Sequence, residues 1–224
     1  MLDQSKISDG FECLMLSLRL SERAIPIMWQ VIKTDGAIGF DVQKKLLDMV
    51  RKIIPNHTKI MLTADRFYGT SALINWCKIQ NWQYRILLKG NSIFEHDGGE
   101  INGNDAVNLK ITALENATFN NTKISTNIGI LHEQGHAELW IIAMDSSPSK
   151  YKVLDYSMRW GIECMFFDFK SRGFGITKTQ LKDANRIERL ILVLTIALYW
   201  GVSAGMKPKT KAIKQTKKTL SLHH

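Results

Sequence analysis

The chain has 224 residues, 45% hydrophobic and 23% charged, with a net charge of +9 and a pI of about 9.5. This is ordinary globular composition, long enough for one sizeable core. Its three scattered cysteines, Cys13, Cys77 and Cys164, have no CxxC spacing, which excludes a disulfide framework and a cysteine zinc site and fits a reducing cytoplasm. The basic excess suits a polyanionic partner, nucleic acid ahead of an anionic membrane.

The first ten residues lack the apolar core and cleavage site of a secretory signal. Two apolar runs, Glu12 to Leu20 and Ala24 to Lys33, are joined by Ser21-Glu22-Arg23 and predict a hairpin. Asp41 to Ile54 carries Val42, Leu46, Leu47, Val50 and Ile54 at helical spacing and stops before Pro55. Lys59 to Ala64 predicts a short buried strand ending at Asp65. Thr70 and Ser71 are N-cap candidates for a helix through Trp76 to about Ile79, and Tyr84 to Lys89 predicts another strand. The first 90 residues therefore read β-β-β-α-β-α-β, with a very short first strand at the terminus.

Residues 91–149 are richer in Gly, Asn and β-alternating runs such as Leu139 to Ala143, and predict an inserted β-rich region. Residues 150–206 return to helix, one over Lys150 to Ser171 and a longer one over Lys182 to Gly205. Within the latter, Leu190 to Met206 is uncharged and reaches the lower length limit of a membrane span; a buried core helix is the preferred reading, and no membrane partner is expected. Residues 207–224 form a basic tail, expected to be disordered and able to bind nucleic acid.

The helix around Glu163 is the most informative element. On a continuous helix at about 100° per residue, Tyr156, Arg159, Glu163 and Lys170 share one arc of about 60°. Phe166, Phe167 and Trp160 flank that arc, so the charged stripe is hemmed in by aromatics and needs ionic partners, metals or bound anions. An Arg159–Glu163 pair at i, i+4 is the plainer explanation of the same spacing. Asp65 falls at the carboxyl end of a strand, where α/β sheets bind ligands, although a turn-capping aspartate fits equally well. Asp3, taken alone, reads as a terminal residue.

The spacing Tyr-x2-Arg-x3-Glu-x6-Lys at Tyr156, Arg159, Glu163 and Lys170 resembles the signature of DDE transposases of the insertion-sequence-four family, whose catalytic domain is RNase H-like. ADRFYG around Asp65 looks like that family's second-acid motif, and LDQSKI around Asp3 like its first. The resemblance covers roughly residues 1–205 and implies an α/β fold, a mixed sheet flanked by helices, with a β-rich insertion before the last catalytic helix. It further implies that Asp3, Asp65 and Glu163 bind two Mg²⁺ (or Mn²⁺) ions about 3.5–4 Å apart that activate a water or 3′-hydroxyl and stabilise the leaving oxygen. Tyr156, Arg159, Lys170 and Arg66 would hold phosphates of double-stranded DNA, at transposon ends and target, in a cytoplasmic enzyme that is a homodimer when bound to DNA. Trp140 could stack on a flipped base, but reads better as a strand core residue.

Only Met1 and Leu2 precede Asp3. On the family pattern the first strand would be cut in half and end recognition would be missing, so the isolated chain is expected neither to excise nor to insert DNA. A non-catalytic DNA-binding transposition inhibitor is the first alternative. The second is a zinc metalloprotease from His132-Glu133-x-x-His136; Gly135 inside that segment and the apolar runs on either side favour strand–turn–strand instead.

Overall fold

The computed structural model describes residues 1–220 apart from 107, 111, 120–121, 133–138 and 172, with side chains up to residue 206. Glu133 and His136 of the protease-like motif lie outside the described residues.

The chain begins with three antiparallel strands, β1 (Leu2–Ser8), β2 (Phe11–Leu20) and β3 (Arg23–Lys33). The hairpin is closed by Ser21 with φ of 57°, a left-handed turn residue that suits the twist of the flanking strands. β1 is not the stub expected at the terminus. It runs seven residues and pairs along β2, Leu2 with Leu16 and Asp3 with Met15; the long partner strand supplies the hydrogen bonds that fraying would otherwise remove.

Helix α1 (Phe40–Ile53) then turns Leu46, Leu47 and Val50 into the core, each worth roughly 1.5–3 kcal/mol of apolar burial. Strand β4 (Met61–Ala64) follows, then α2 (Ser71–Ile79), whose first turn is capped by Thr70 Oγ1 accepting from the Leu73 amide at 3.3 Å, then β5 (Gln83–Leu87). The order β3-β2-β1-β4-β5, with β1, β4 and β5 parallel, is the RNase H-like core.

The β-rich segment extends this sheet. Strands β6 (Ile93–His96), β7 (Gly99–Asn102), β8 (Ala113–Phe119), β9 (Ser125–Leu131) and β10 (Trp140–Met144) add to the β5 edge in the order β10-β9-β8-β6-β7. The result is one ten-stranded mixed sheet flanked by helices, the expected α/β class.

The segment after β10 is not a single helix. It is α3 (Lys150–Leu154), a 3-10 turn over Asp155–Arg159, and α4 (Trp160–Lys170). The tighter turn has a tertiary cause. Buried Arg85 on β5 donates to the Lys152 carbonyl at 3.0 Å and to Asp145 at 2.7 Å, and reaches Asp155 at 3.5 Å. Last comes α5 (Ala184–Leu220), which passes the Gly205 expected as its end.

Alternation along the strands divides the core. Leu2, Leu14, Leu62 and Ala64 face α1 and α2. Met15, Ala24 and Val31 face α4 and α5, meeting Ile162, Met165, Phe166, Ile187 and Ile191. The expectation of a buried core helix over Leu190 to Met206 is corrected: Ile191 and Leu194 are buried, as is Ile187 before them, whereas Leu192, Val193, Ile196, Tyr199 and Trp200 are exposed. By length and composition Ala184–Met206 could cross a membrane, yet its inner face is occupied by β3.

Candidate active site

The register of two parallel strands creates the site. Leu2 of β1 pairs with Ala64 of β4, so Asp3, the second residue of β1, and Asp65, the first residue beyond β4, each follow a member of that pair. Strands in a sheet are about 4.8 Å apart. Leu2 and Ala64 face the α1–α2 core, so Asp3 turns to the opposite face, where its partner Met15 packs among α4 residues. That is the face that carries Glu163.

Asp3 is 8% exposed. Its Oδ1 accepts from the Gln4 amide at 2.9 Å and its Oδ2 from Arg159 Nη1 at 2.9 Å. Arg159 Nη2 donates to Glu163 Oε1, and its Nε to the Tyr156 hydroxyl at 3.0 Å. One guanidinium therefore bridges the first and third acids. Burial pushes the Asp3 carboxyl up to about 7; Arg159 opposes the shift, while Asp65 and Glu163 reinforce it. Asp65 and Glu163 thus act as like charges on the buried Asp3 carboxyl.

Asp65 closes the turn after β4: its Oδ1 accepts from the Phe67 amide at 2.9 Å and its carbonyl from the Tyr68 amide at 3.0 Å. The turn presses against β5. A Cβ on Gly69 would stand 2.7 Å from the Leu87 carbonyl oxygen, so only glycine allows the approach. The turn-capping role weighed against a site role for Asp65 is therefore present in the same side chain.

Tyr156 is buried in the 3-10 turn, its ring edge-on to Trp140 of β10 at 5.2 Å. Burial first, against the pull of Arg159, pushes its hydroxyl up to about 12. Trp140 is a half-buried packing residue, as its strand reading had it. Lys170 stands apart from the acids, seven residues along α4 from Glu163, on the order of 10 Å of helix rise, and its charge acts on Glu12 of β2. Arg66 follows Asp65 in the turn and is partly exposed.

Beside Glu163 an open cavity of about 690 Å³ is bordered by Arg19, Arg23, Trp160, Phe167 and Asp168. Gly161 lets α4 pass close to the hairpin: a Cβ there would meet the Glu22 and Arg23 backbone at 3.4 Å. Sequence reasoning missed Arg19 and Arg23, because nothing in a hairpin's own sequence shows which helix packs over it. It also missed Arg85, whose signal was a lone arginine inside the apolar run YRILL.

Among the described residues, no three His, Cys, Asp or Glu side chains form a ready metal cage. The donor chemistry nevertheless suits a hard divalent cation: the carboxylates of Asp3, Asp65 and Glu163 offer oxygen ligands only. The Arg159 guanidinium pairs with two of them, Asp3 and Glu163.

The model of the transposase DDE domain family matches residues 22–200. The match takes in Asp65, Tyr156, Arg159, Glu163 and Lys170 and begins beyond Asp3. No curated protein matches the chain.

Proposed function

We propose, from the premise that this chain belongs to the transposase DDE domain family, that it breaks and rejoins DNA phosphodiester bonds at Asp3, Asp65 and Glu163. What supports the reading is that Asp3 and Asp65 each follow a member of the Leu2–Ala64 pair and that Arg159 donates to both Asp3 and Glu163. The three carboxylates would hold Mg²⁺ or Mn²⁺. Bound there, such ions supply Lewis-acid activation of a water or 3′-hydroxyl and charge stabilisation of the leaving oxygen.

The chain's own residues do the rest. Arg159 pairs with Asp3 and Glu163, and released from them it offers its fork of donors to a DNA phosphate. Tyr156 steers that fork through the bond to Nε. Arg66 and Lys170 hold the backbone on either side of the acids, contacts that position DNA without reading its sequence. Arg19, Arg23 and Trp160 border the cavity through which a strand reaches Glu163. A homodimer on DNA, with transposon ends and target as substrates, completes the reading.

The test is Mg²⁺-dependent nicking of a duplex that carries the element's end. Wild type nicks, while D65N and E163Q lose on the order of 10³-fold or more yet still bind DNA. Equal nicking by all three would refute the proposal. A second reading, a non-catalytic DNA-binding inhibitor of transposition, is favoured by one observation: Arg159 is ion-paired with two of the three acids, Asp3 and Glu163. No nicking by wild type, with undiminished DNA binding by D65N and E163Q, selects it.

A further inference from the structure

Arg85 of β5 is 4% exposed and takes no direct part in the chemistry above. A buried guanidinium is a poor stabiliser of a fold, because a well-packed apolar side chain of similar volume does as well or better. What arginine alone supplies is a rigid planar fork of donors. Here Nε donates to the Lys152 carbonyl at 3.0 Å, and Nη1 donates to the Asp145 carboxylate at 2.7 Å and to the Tyr84 carbonyl at 2.8 Å. Nη2 stands 3.5 Å from Asp155 Oδ2. Two of these partners, Lys152 and Asp155, belong to the bend between α3 and α4.

That bend decides where Arg159 points. Tyr156 and Arg159 are three residues apart and both lie in the 3-10 turn Asp155–Arg159. With three residues per turn, side chains at i and i+3 eclipse; on an α-helix they would stand about 60° apart. The eclipsed pair is present. Arg159 Nε donates to the Tyr156 hydroxyl at 3.0 Å, and its guanidinium carbon lies 5.8 Å from the centre of the Tyr156 ring. With Nε held there, the two Nη groups reach Asp3 and Glu163. Arg85 ties the Lys152 carbonyl and Asp155 to β5 where the α-helix gives way to this tighter turn.

We propose that Arg85 is a positioning residue: by holding the 3-10 turn it stacks Tyr156 against Arg159, and so sets the direction in which the Arg159 fork meets a DNA phosphate. The inference rests on the reading of Arg159 as a phosphate contact. It assigns Arg85 no contact with DNA, from which burial bars it.

The test is a double-mutant cycle of R85K and R159A in the full chain. R85K keeps the charge and loses the fork. Binding of a fluorescein-labelled duplex of arbitrary sequence is followed by anisotropy across a series of KCl concentrations, and urea unfolding checks that each variant is folded. R159A should weaken binding about tenfold and reduce the slope of log K against log salt by about 1. R85K should do the same alone and change neither quantity further when added to R159A. An arginine kept only for the fold would move the urea midpoint and leave affinity and slope untouched. If R159A weakens binding while R85K does not, or if the two losses simply add, the role of Arg85 is refuted and the phosphate contact of Arg159 stands. If R159A binds like wild type, both readings fall. Should R85K show no cooperative unfolding, D155A takes its place. Removing that acid by itself favours DNA binding, so a loss of affinity that vanishes in the R159A background supports the proposal, and a gain or no change overturns it.

Discussion

The charge state of Asp3 gives the sharpest prediction. Burial raises its pKa from 3.8 to about 7, with Arg159 pulling it down and Asp65 and Glu163 pushing it up. The folded chain therefore keeps a proton that the unfolded chain has lost. That stabilisation is complete below about pH 4 and disappears as pH climbs through about 7. A shift of about three units at 1.36 kcal/mol each is about 4 kcal/mol. In D3N the position cannot titrate. The difference in unfolding free energy, D3N minus wild type, should therefore be about 4 kcal/mol more positive near pH 8 than near pH 4. Taking the difference matters, because the Met1 α-amino group, which burial holds down at about 5, tilts the stability of both proteins the opposite way. Urea unfolding in EDTA at a series of pH values measures it, with equal m-values as the check on two-state behaviour. A difference that stays flat across the range would refute the claim that Asp3 is buried among like charges.

Two further substitutions test what holds the site in shape. R85Q strands Asp145 and frees the Lys152 carbonyl; it should lower stability by about 3–5 kcal/mol, as loss of one partner of a buried pair does, seen as an earlier urea midpoint. G69A forces a Cβ to within 2.7 Å of the Leu87 carbonyl and should cost about 1–3 kcal/mol while reducing nicking, because the Asp65 turn must move. An unchanged midpoint in either would contradict the packing described.

Local patterns made the core elements legible. Helix α1 followed from its apolar spacing and from Pro55 beyond its end, and α2 from a cap whose bond is present. The β2–β3 hairpin followed from two apolar runs and three polar residues between them. What depended on distant contacts was not legible. Lys150 to Ser171 reads as one helix, but the 3-10 turn comes from a tether to Arg85, 70 positions from Asp155. The run in α5 is apolar on all sides and so reads as buried, yet β3 covers one face only.

For the site, the spacing of Tyr156, Arg159 and Glu163 pointed to a shared helix face, and both the Arg159–Glu163 pair and the Tyr156–Arg159 bond are present. Lys170 sits on the same helix but away from the acids. Asp3 was the least legible residue. Nothing local distinguishes it from a terminal aspartate, and only the family resemblance singled it out. Its burial follows from the partner strands β2 and β4.

Anomalous scattering from a crystal of the full chain soaked in Mn²⁺ measures the central point directly. The expected result is manganese density among Asp3, Asp65 and Glu163, with the Arg159 guanidinium withdrawn from both Asp3 and Glu163. Manganese bound elsewhere, with Arg159 still bridging the two acids, would contradict the account.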